Sequence, residues 1–165
     1  MEPTASKAAS AATVLRAYRP ETDARALAEV LRDSPEAAQW APPTEAEMSG
    51  SGLTHVLVSE LESPSQVVGY ISARQVADEA EILNLAVRGS WRRRGAGAQL
   101  LGGMLWRLLL NQVTRVYLEV RESNQAAISL YEKYSFRRNG RRRNYYSEPV
   151  EDALLFERKL SPDDC

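Results

Sequence analysis

The residues with the clearest capacity for chemistry are three arginines followed by two spaced glycines, in the run Arg92-Arg93-Arg94-Gly95-Ala96-Gly97-Ala98. Because Gly95 and Gly97 have no side chain, a ligand can approach the main chain closely there. An apolar segment with helical spacing, Leu100 to Leu109, follows directly. The first amides of such a helix have no intrahelical acceptor and lie at the positive end of its dipole. The run therefore predicts an anion site that binds a pyrophosphate group.

The spacing inside this loop narrows the choice of pyrophosphate ligand. The phosphate loop of nucleoside triphosphatases requires a Gly-Lys pair, and the chain contains none. A dinucleotide fingerprint requires a third glycine, but Leu100 occupies that position after Gly95 and Gly97. Glu119 does lie about 20 residues downstream, as that fingerprint asks, so dinucleotide binding stays open as the weaker alternative.

Glu119 is also the first candidate for acid–base chemistry. The run from Val113 to Val120 predicts a strand with Val116 and Leu118 on its apolar side, which leaves Glu119 on the other side near the strand end. A carboxylate so placed can accept a proton from an amine, directly or through water. The alternative is that Glu119 is an ordinary solvated glutamate of the strand.

No metal site is predicted, because the chain has one histidine, His55, and one cysteine and so no His/Cys cluster.

The elements that must position these residues alternate between strands and helices. Alternating apolar residues predict strands, and apolar residues three and four positions apart predict helices. The order predicts an α/β fold with a mixed central sheet of six to seven strands and helices on both faces. The predicted strands are 13–19, 55–61, 66–74, 82–87, 113–120, 136–143 and 152–160, the helices are 24–32, 100–109 and 125–134, and the segments 35–52 and 144–148 are predicted loops, the first with a short helix.

Length and composition indicate one soluble domain. At 165 residues, 44% hydrophobic and 26% charged, the chain can bury a core over residues 13–160, with a disordered Ala/Ser-rich tail at 1–12 and a short tail at 161–165. No apolar run reaches membrane-spanning length. The single cysteine, Cys165, precludes an intrachain disulfide, so a reducing, cytoplasmic location is expected. A tail that targets an organelle is the less favoured alternative, because such a peptide would be rich in arginine.

Charge is distributed unevenly along the chain. Residues 88–143 carry thirteen Lys/Arg against three Asp/Glu, while the rest carry eight against nineteen. A polyanionic cofactor together with a ribosomal or other acidic partner would explain the basic part, and so would nucleic acid. Direct binding of RNA is not favoured, because aromatic residues with the spacing of an RNA-recognition strand are missing.

Three motifs carry a resemblance to a known family. The loop Arg92-x-x-Gly95-x-Gly97 resembles the acyl-CoA loop of the GCN5-related N-acetyltransferases (GNAT), whose fold has the predicted element order. The segment from Leu118 to Phe136 resembles the second acetyl-CoA motif of the ribosomal-protein-alanine N-acetyltransferases within that superfamily, as does the run Arg142-Arg143-Asn144-Tyr145-Tyr146. The chain departs from the pattern at Ser135, where the family usually has a glycine.

The resemblance implies roles for individual residues. Acetyl-CoA is the implied acetyl donor, with its pyrophosphate at Arg92 to Ala98. Glu119 is then the general base and Tyr131 the general acid, although the same tyrosine also fits a core position on its helix. The implied cofactor contacts further include the amides of Leu85, Ala86 and Val87, the side chain of Asn124, and Tyr131 itself. Tyr145 and Tyr146 would line a groove for the acceptor peptide, and Trp40 would either line that groove or cover the core.

The implied reaction is transfer of acetyl to the N-terminal amine of a protein by direct attack in a ternary complex. The acceptor implied is the N-terminal alanine of a small-subunit ribosomal protein, with relaxed peptide specificity as a further option. Two alternatives stay open, acetylation of a small amine such as a polyamine or aminoglycoside, and acyl-CoA binding without catalysis.

Overall fold

The structure, a computed structural model, describes residues 12–37, 53–62 and 64–164. Its strands are β1 (Thr13–Ala17), β2 (Leu53–Glu62), β3 (Ser65–Val76), β4 (Glu79–Val87), β5 (Arg115–Arg121), β6 (Arg137–Ser147) and β7 (Val150–Lys159). Its α-helices are α1 (Pro20–Arg32), α2 (Ala96–Leu110) and α3 (Gln125–Lys133). Short 3-10 helices cover Pro35–Ala37, Gly89–Trp91 and Pro162–Asp164.

All seven strands form one sheet in the order β1-β2-β3-β4-β5-β7-β6. The pair β4–β5 is parallel, and the remaining neighbours run antiparallel. The helix α2 makes the crossover that a parallel pair requires. The predicted α/β fold with a mixed sheet of six to seven strands is therefore confirmed.

The sheet carries helices on both faces. On one face α1 packs on β3 and β4, and its Leu27 and Val30 are buried against Val58 and Tyr70. On the other face α2 packs across β1 to β4, and Met104 belongs to the larger core cluster. That cluster also contains Leu100, Leu101, Leu108, Val116, Leu118, Val120, Ile128, Tyr131, Phe136, Leu154 and Phe156.

Two adjacent glycines of α2 allow close packing, Gly103 against β1 and Gly102 against Tyr134 after α3. A Cβ built on Gly103 would lie 2.5 Å from Cδ1 of Leu15 on β1, and one on Gly102 would lie 3.4 Å from the ring of Tyr134. A glycine within a helix costs about 1 kcal/mol relative to alanine. Close packing explains why glycine occupies position 103 despite that cost.

The central strands separate at the point where the site forms. Pairing between β4 and β5 ends at Ile82 and Leu118, although β4 stays paired with β3 as far as Val87 and β5 with β7 as far as Arg121. Opposite β3, the register of β4 skips Leu83, which marks a bulge. A bulge bends its strand and increases the local twist. Beyond Leu83 the two strands therefore diverge and leave a V-shaped opening in the sheet.

The structure differs from the sequence prediction at several boundaries. The predicted loop 144–148 is wrong, because β6 continues to Ser147 through an irregular stretch between Arg142 and Tyr146. The helix α1 begins at Pro20 rather than Ala24, since proline fits the first turn of a helix. A two-residue turn at Ala77 and Asp78 joins β3 to β4 as a hairpin.

Several sequence predictions concern residues outside the described part. Trp40 and most of the segment 35–52 lie there, as do residues 1–11 of the proposed tail. Within the described residues, none of the helices combines the length and the apolar character that crossing a membrane would require.

Candidate active site

The V-shaped opening between β4 and β5 leads into a cleft of about 420 Å³. Because the opening passes through the sheet, residues from both faces reach the same space. The ends of β4 and β5, the loop before α2, the start of α3 and β6 all contribute to its wall. The cleft is lined by Leu85, Ala86, Val87, Arg92, Arg93, Gly95, Gly97, Ala98, Glu119, Asn124, Tyr131 and Tyr146, together with residues of the 34–37 segment and neighbouring positions.

At one end of the cleft, the loop and the start of α2 present the main-chain amides at which the sequence predicts an anion site. Gly95 has a φ of +89°, a left-handed conformation that glycine adopts without strain. The first main-chain bond of the helix is donated by the Gln99 amide to the Gly95 carbonyl, at 2.9 Å. The amides of Ala96, Gly97 and Ala98 precede that bond and so have no acceptor within the helix. They lie at the positive end of the α2 dipole, where an anion is stabilised.

The three loop arginines occupy different positions. Arg92 anchors the loop, because its Nε donates to the Val87 carbonyl at 3.0 Å and a terminal nitrogen donates to Ser34 Oγ at 2.9 Å. It also pairs with Glu36 at 2.8 Å. Arg93, with φ of +61°, lines the cleft. The Arg94 guanidinium lies over the ring of Trp91 at 4.9 Å, outside the set of lining residues.

The β4 edge supplies main-chain groups to the middle of the cleft. Leu85, Ala86 and Val87 pair with β3, and on their other side β5 has already diverged. In an antiparallel strand, successive amides point alternately to the two neighbours. Those directed away from β3 therefore face the cleft. Gly69 on β3 allows close pairing here, since a Cβ on it would lie 2.8 Å from the Ala86 carbonyl oxygen.

At the other end of the cleft, Glu119 is held by neighbouring side chains. It is opposite Leu155 of β7, its side chain is 17% exposed, and its Oε1 lies 2.9 Å from Nε of Arg142. Tyr145 interacts with the Glu119 carboxylate, and this interaction is the main reason why the pKa of Tyr145 is raised.

Tyr146 packs beside Tyr145. Its ring meets that of Tyr145 edge to face at 5.2 Å, and the Arg121 guanidinium lies 4.1 Å from the Tyr146 ring centre. Burial, followed by the charge of Glu119, raises the pKa of Tyr146 to about 12. Tyr146 lines the cleft, whereas Tyr145 contacts the site through Glu119.

Tyr131 reaches the cleft from the opposite face of the sheet. It belongs to the core cluster under α2 and α3, is 6% exposed and packs edge to face on Phe136 at 5.8 Å. Burial raises the pKa of its hydroxyl, so Tyr131 keeps its proton at neutral pH. Glu119 alternates with the core residues Leu118 and Val120 and hence points to the other face. The split in the sheet is what brings Glu119 and Tyr131 to one cleft.

Asn124 and Ser135 define the two ends of α3. Asn124 caps the helix through Oδ1, which accepts the Ala127 amide at 3.1 Å, and it also lines the cleft. Ser135 has a φ of +62° after the last turn, the left-handed conformation for which glycine is usual.

His55 lies outside the cleft. It is buried on β2, and its Nε2 lies 2.9 Å from Oε1 of Gln75. Burial lowers the pKa of its imidazole, so the ring is neutral at pH 7 and serves packing.

Sequence reasoning missed three side chains that shape the site, Ser34, Glu36 and Arg142. The first two follow α1 and hold Arg92, and their sequence carries no signal for this. Arg142 stands three positions from Tyr145, and in a regular strand that spacing places two side chains on opposite faces. Its contact with Glu119 is visible only in the folded chain.

A profile of the acetyltransferase (GNAT) family matches residues 17–136. The match covers well over half of the chain, and the fold and the cleft agree with it. The chain therefore belongs to the GNAT acetyltransferase family.

Within that family, the chain is similar to enzymes named ribosomal protein bS18-alanine N-acetyltransferase. It is 34% identical to the one from Escherichia coli strain K12 over 124 residues, which are 74% of this chain and 82% of that protein. It is 36% identical to the one from Salmonella typhimurium over 104 residues, which are 62% of this chain and 70% of that protein.

Comparison with solved structures supports the same family fold. The crystal structure of the ribosomal-protein-S18-alanine N-acetyltransferase from Escherichia coli superposes with a TM-score of 0.75 at 28% identity, covering 91% of this chain and 95% of that one. Arabidopsis thaliana NAA60 in complex with acetyl-CoA gives a TM-score of 0.77 at 21% identity, with 90% and 99% covered. At that level of identity the second comparison concerns the fold alone.

Proposed function

We propose that this acetyltransferase transfers the acetyl group of acetyl-CoA to the α-amine of an N-terminal alanine, on a ribosomal protein of the bS18 type. The observation that carries acetyl transfer is the cleft, which is lined by the loop before α2, by Glu119 and by the buried Tyr131. The acceptor is inferred from the similarity to enzymes named ribosomal protein bS18-alanine N-acetyltransferase.

The described residues fit acetyl-CoA as donor. A diphosphate matches the free amides of Ala96 to Ala98 and the neighbouring Arg93, because both are donors and positively polarised. A pantetheine arm carries amide groups that match the open edge of β4 at Leu85 to Val87 and the Asn124 side chain. When bound, acetyl-CoA supplies a thioester whose carbonyl carbon is the electrophile.

Glu119 would act on the acceptor. An α-ammonium has a pKa of about 8 and must lose a proton before it can attack a carbonyl. The Glu119 carboxylate would accept that proton, directly or through one water molecule. Tyr146 and Tyr145 would flank the first residue of the peptide, where an alanine side chain leaves room for their rings.

The remaining groups would stabilise developing charge. An amide of the Leu85–Val87 edge would donate to the carbonyl oxygen as it becomes negative, an effect worth several kcal/mol when the donor is already positioned. Tyr131 would donate its phenolic proton to the departing thiolate. The raised pKa of Tyr131 keeps that proton available until this step.

The direct test is incubation of the purified full chain with acetyl-CoA and a panel of acceptors. The panel contains a peptide with the N-terminal sequence of bS18, the same peptide with a blocked N-terminus, and spermidine. We expect CoA release only with the free peptide, and mass spectrometry should locate the acetyl group on its α-amine. Turnover of spermidine with no turnover of the peptide would assign the chain to the small-amine acetyltransferases instead.

A further inference from the structure

The irregular stretch of β6 has a specific geometric effect on the site. Arg142 pairs with Ala153 of β7, and the next pair is Tyr146 with Glu151. Four steps along β6 thus correspond to two along β7, and the extra residues form a bulge. Asn144, within it, has a φ of +49°. A bulge changes the direction of the side chains that follow it.

Because of this bulge, two side chains that a regular strand would separate meet at one carboxylate. Nε of Arg142 lies 2.9 Å from Oε1 of Glu119, and Tyr145 interacts with the same carboxylate. The two also support each other, since the Arg142 guanidinium lies 5.4 Å from the Tyr145 ring centre.

Asp152 holds the bulge in place from β7. Its Oδ1 accepts the Asn144 amide at 2.9 Å, and its Oδ2 pairs with Arg141 at 3.1 Å. The conformation that brings Arg142 to Glu119 is therefore fixed by the fold and does not depend on the ion pair alone.

We propose that Arg142 is a positioning residue for Glu119, fixing one carboxylate oxygen from the β6 bulge so that the carboxylate keeps one orientation toward the acceptor amine. The inference rests on the proposed function, in which Glu119 takes the proton of that amine.

The energetics favour a positioning role over a stabilising one. The Arg142 side chain is 56% exposed, and ion pairs at such positions contribute little to stability. A glutamate without this contact would sample several rotamers, and a misplaced catalytic group lowers the rate even when binding is intact. Loss of Arg142 should therefore reduce turnover without unfolding the chain.

The test compares Arg142→Met, Arg142→Lys and the control Arg143→Met, an exposed arginine in the same bulge. For Arg142→Met we expect kcat to fall about 10- to 100-fold, with unchanged KM for both substrates and an unchanged melting temperature. Lysine should recover part of kcat, and Arg143→Met should match the wild type. Wild-type kcat in Arg142→Met, or a rise in KM with kcat unchanged, would overturn the inference.

A double variant separates this inference from the proposed function. If Arg142 acts through Glu119, Arg142→Met should have no further effect on the residual rate of Glu119→Gln. Independent, multiplying effects would overturn the positioning role. If Glu119→Gln alone retains full turnover, the proposed base is wrong. If Glu119→Gln is inactive and Arg142→Met is fully active, only the role of Arg142 fails.

Discussion

The two ends of the cleft present different chemical groups, main-chain amides at one end and side chains at the other. The end near α2 consists of main-chain amides, and its key residues, Gly95 and Gly97, contribute by having no side chain. The opposite end consists of side chains, with Glu119 paired to Arg142. A main-chain site follows from local conformation and can be read from a short motif. A site of side chains depends on which strands become neighbours, so its parts are spread along the chain.

This contrast predicts different responses to substitution. Changes at the side-chain end should reduce turnover and leave acetyl-CoA affinity intact. Changes at the main-chain end should reduce acetyl-CoA affinity first.

Glu119→Gln should have the largest effect. Glutamine keeps the shape but cannot accept a proton, so kcat should fall about 100- to 10,000-fold while the Kd for acetyl-CoA, measured by calorimetry, stays the same. The matched control is Glu79→Gln, because Glu79 is another glutamate of the central strands, hydrogen-bonded to Tyr117. Unchanged turnover of Glu119→Gln across the pH range would remove Glu119 as the base.

Gly97→Leu should act at the other end. A Cβ at this position would lie 3.6 Å from Leu130 and 3.9 Å from Val87, so the helix tolerates it, but the rest of the side chain would fill the anion site. We expect the Kd for acetyl-CoA to rise about 100-fold. Gly89→Leu is the control, since nothing lies within 4 Å of its Cβ. Wild-type affinity of Gly97→Leu would show that acetyl-CoA binds elsewhere.

Tyr131→Phe should have an intermediate effect. Without the hydroxyl, Tyr131 cannot give a proton to the leaving thiolate, so kcat should fall about 10- to 100-fold. The measurement is the rate of thiol release, with Tyr117→Phe as the control. Because burial raises the pKa of Tyr131, the wild-type rate should not decline through loss of this proton below about pH 10, where an ordinary tyrosine ionises. Full activity of the phenylalanine variant would leave Tyr131 a packing role only.

Ser135→Gly should have the smallest effect, a change in stability that alters neither end of the cleft. Ser135 has a left-handed backbone conformation, with φ of +62°. This conformation costs free energy for any residue that has a side chain, and glycine does not incur that cost. Glycine also makes the unfolded chain more flexible, which opposes part of this gain. We therefore expect the free energy of unfolding to rise by about 0.5 kcal/mol. Thermal denaturation with unchanged kcat would confirm it, and a loss of stability would contradict the conformational argument.

Much of this protein was predictable from local sequence patterns. Within the described residues, periodicity located the seven strands and the three α-helices, and the differences lie at their boundaries, as at Pro20 and Ser147. The loop from Arg92 to Gly97 and the cap at Asn124 were also recognisable, because turn and cap preferences act over a few residues. The catalytic roles of Glu119 and Tyr131 stay predictions until the variants are measured.

By itself, the sequence determined the order of the elements and the glycine loop at which an anion site is predicted, since both follow from conformational preferences within short segments. Only the tertiary structure decided that β4 and β5 part after Ile82 and Leu118, which opens one cleft to Glu119 and Tyr131 from opposite faces. It also decided that a bulge in β6 turns Arg142 toward Glu119. The physical reason is that strand separation and bulges depend on the register between strands distant in sequence, which no local pattern encodes.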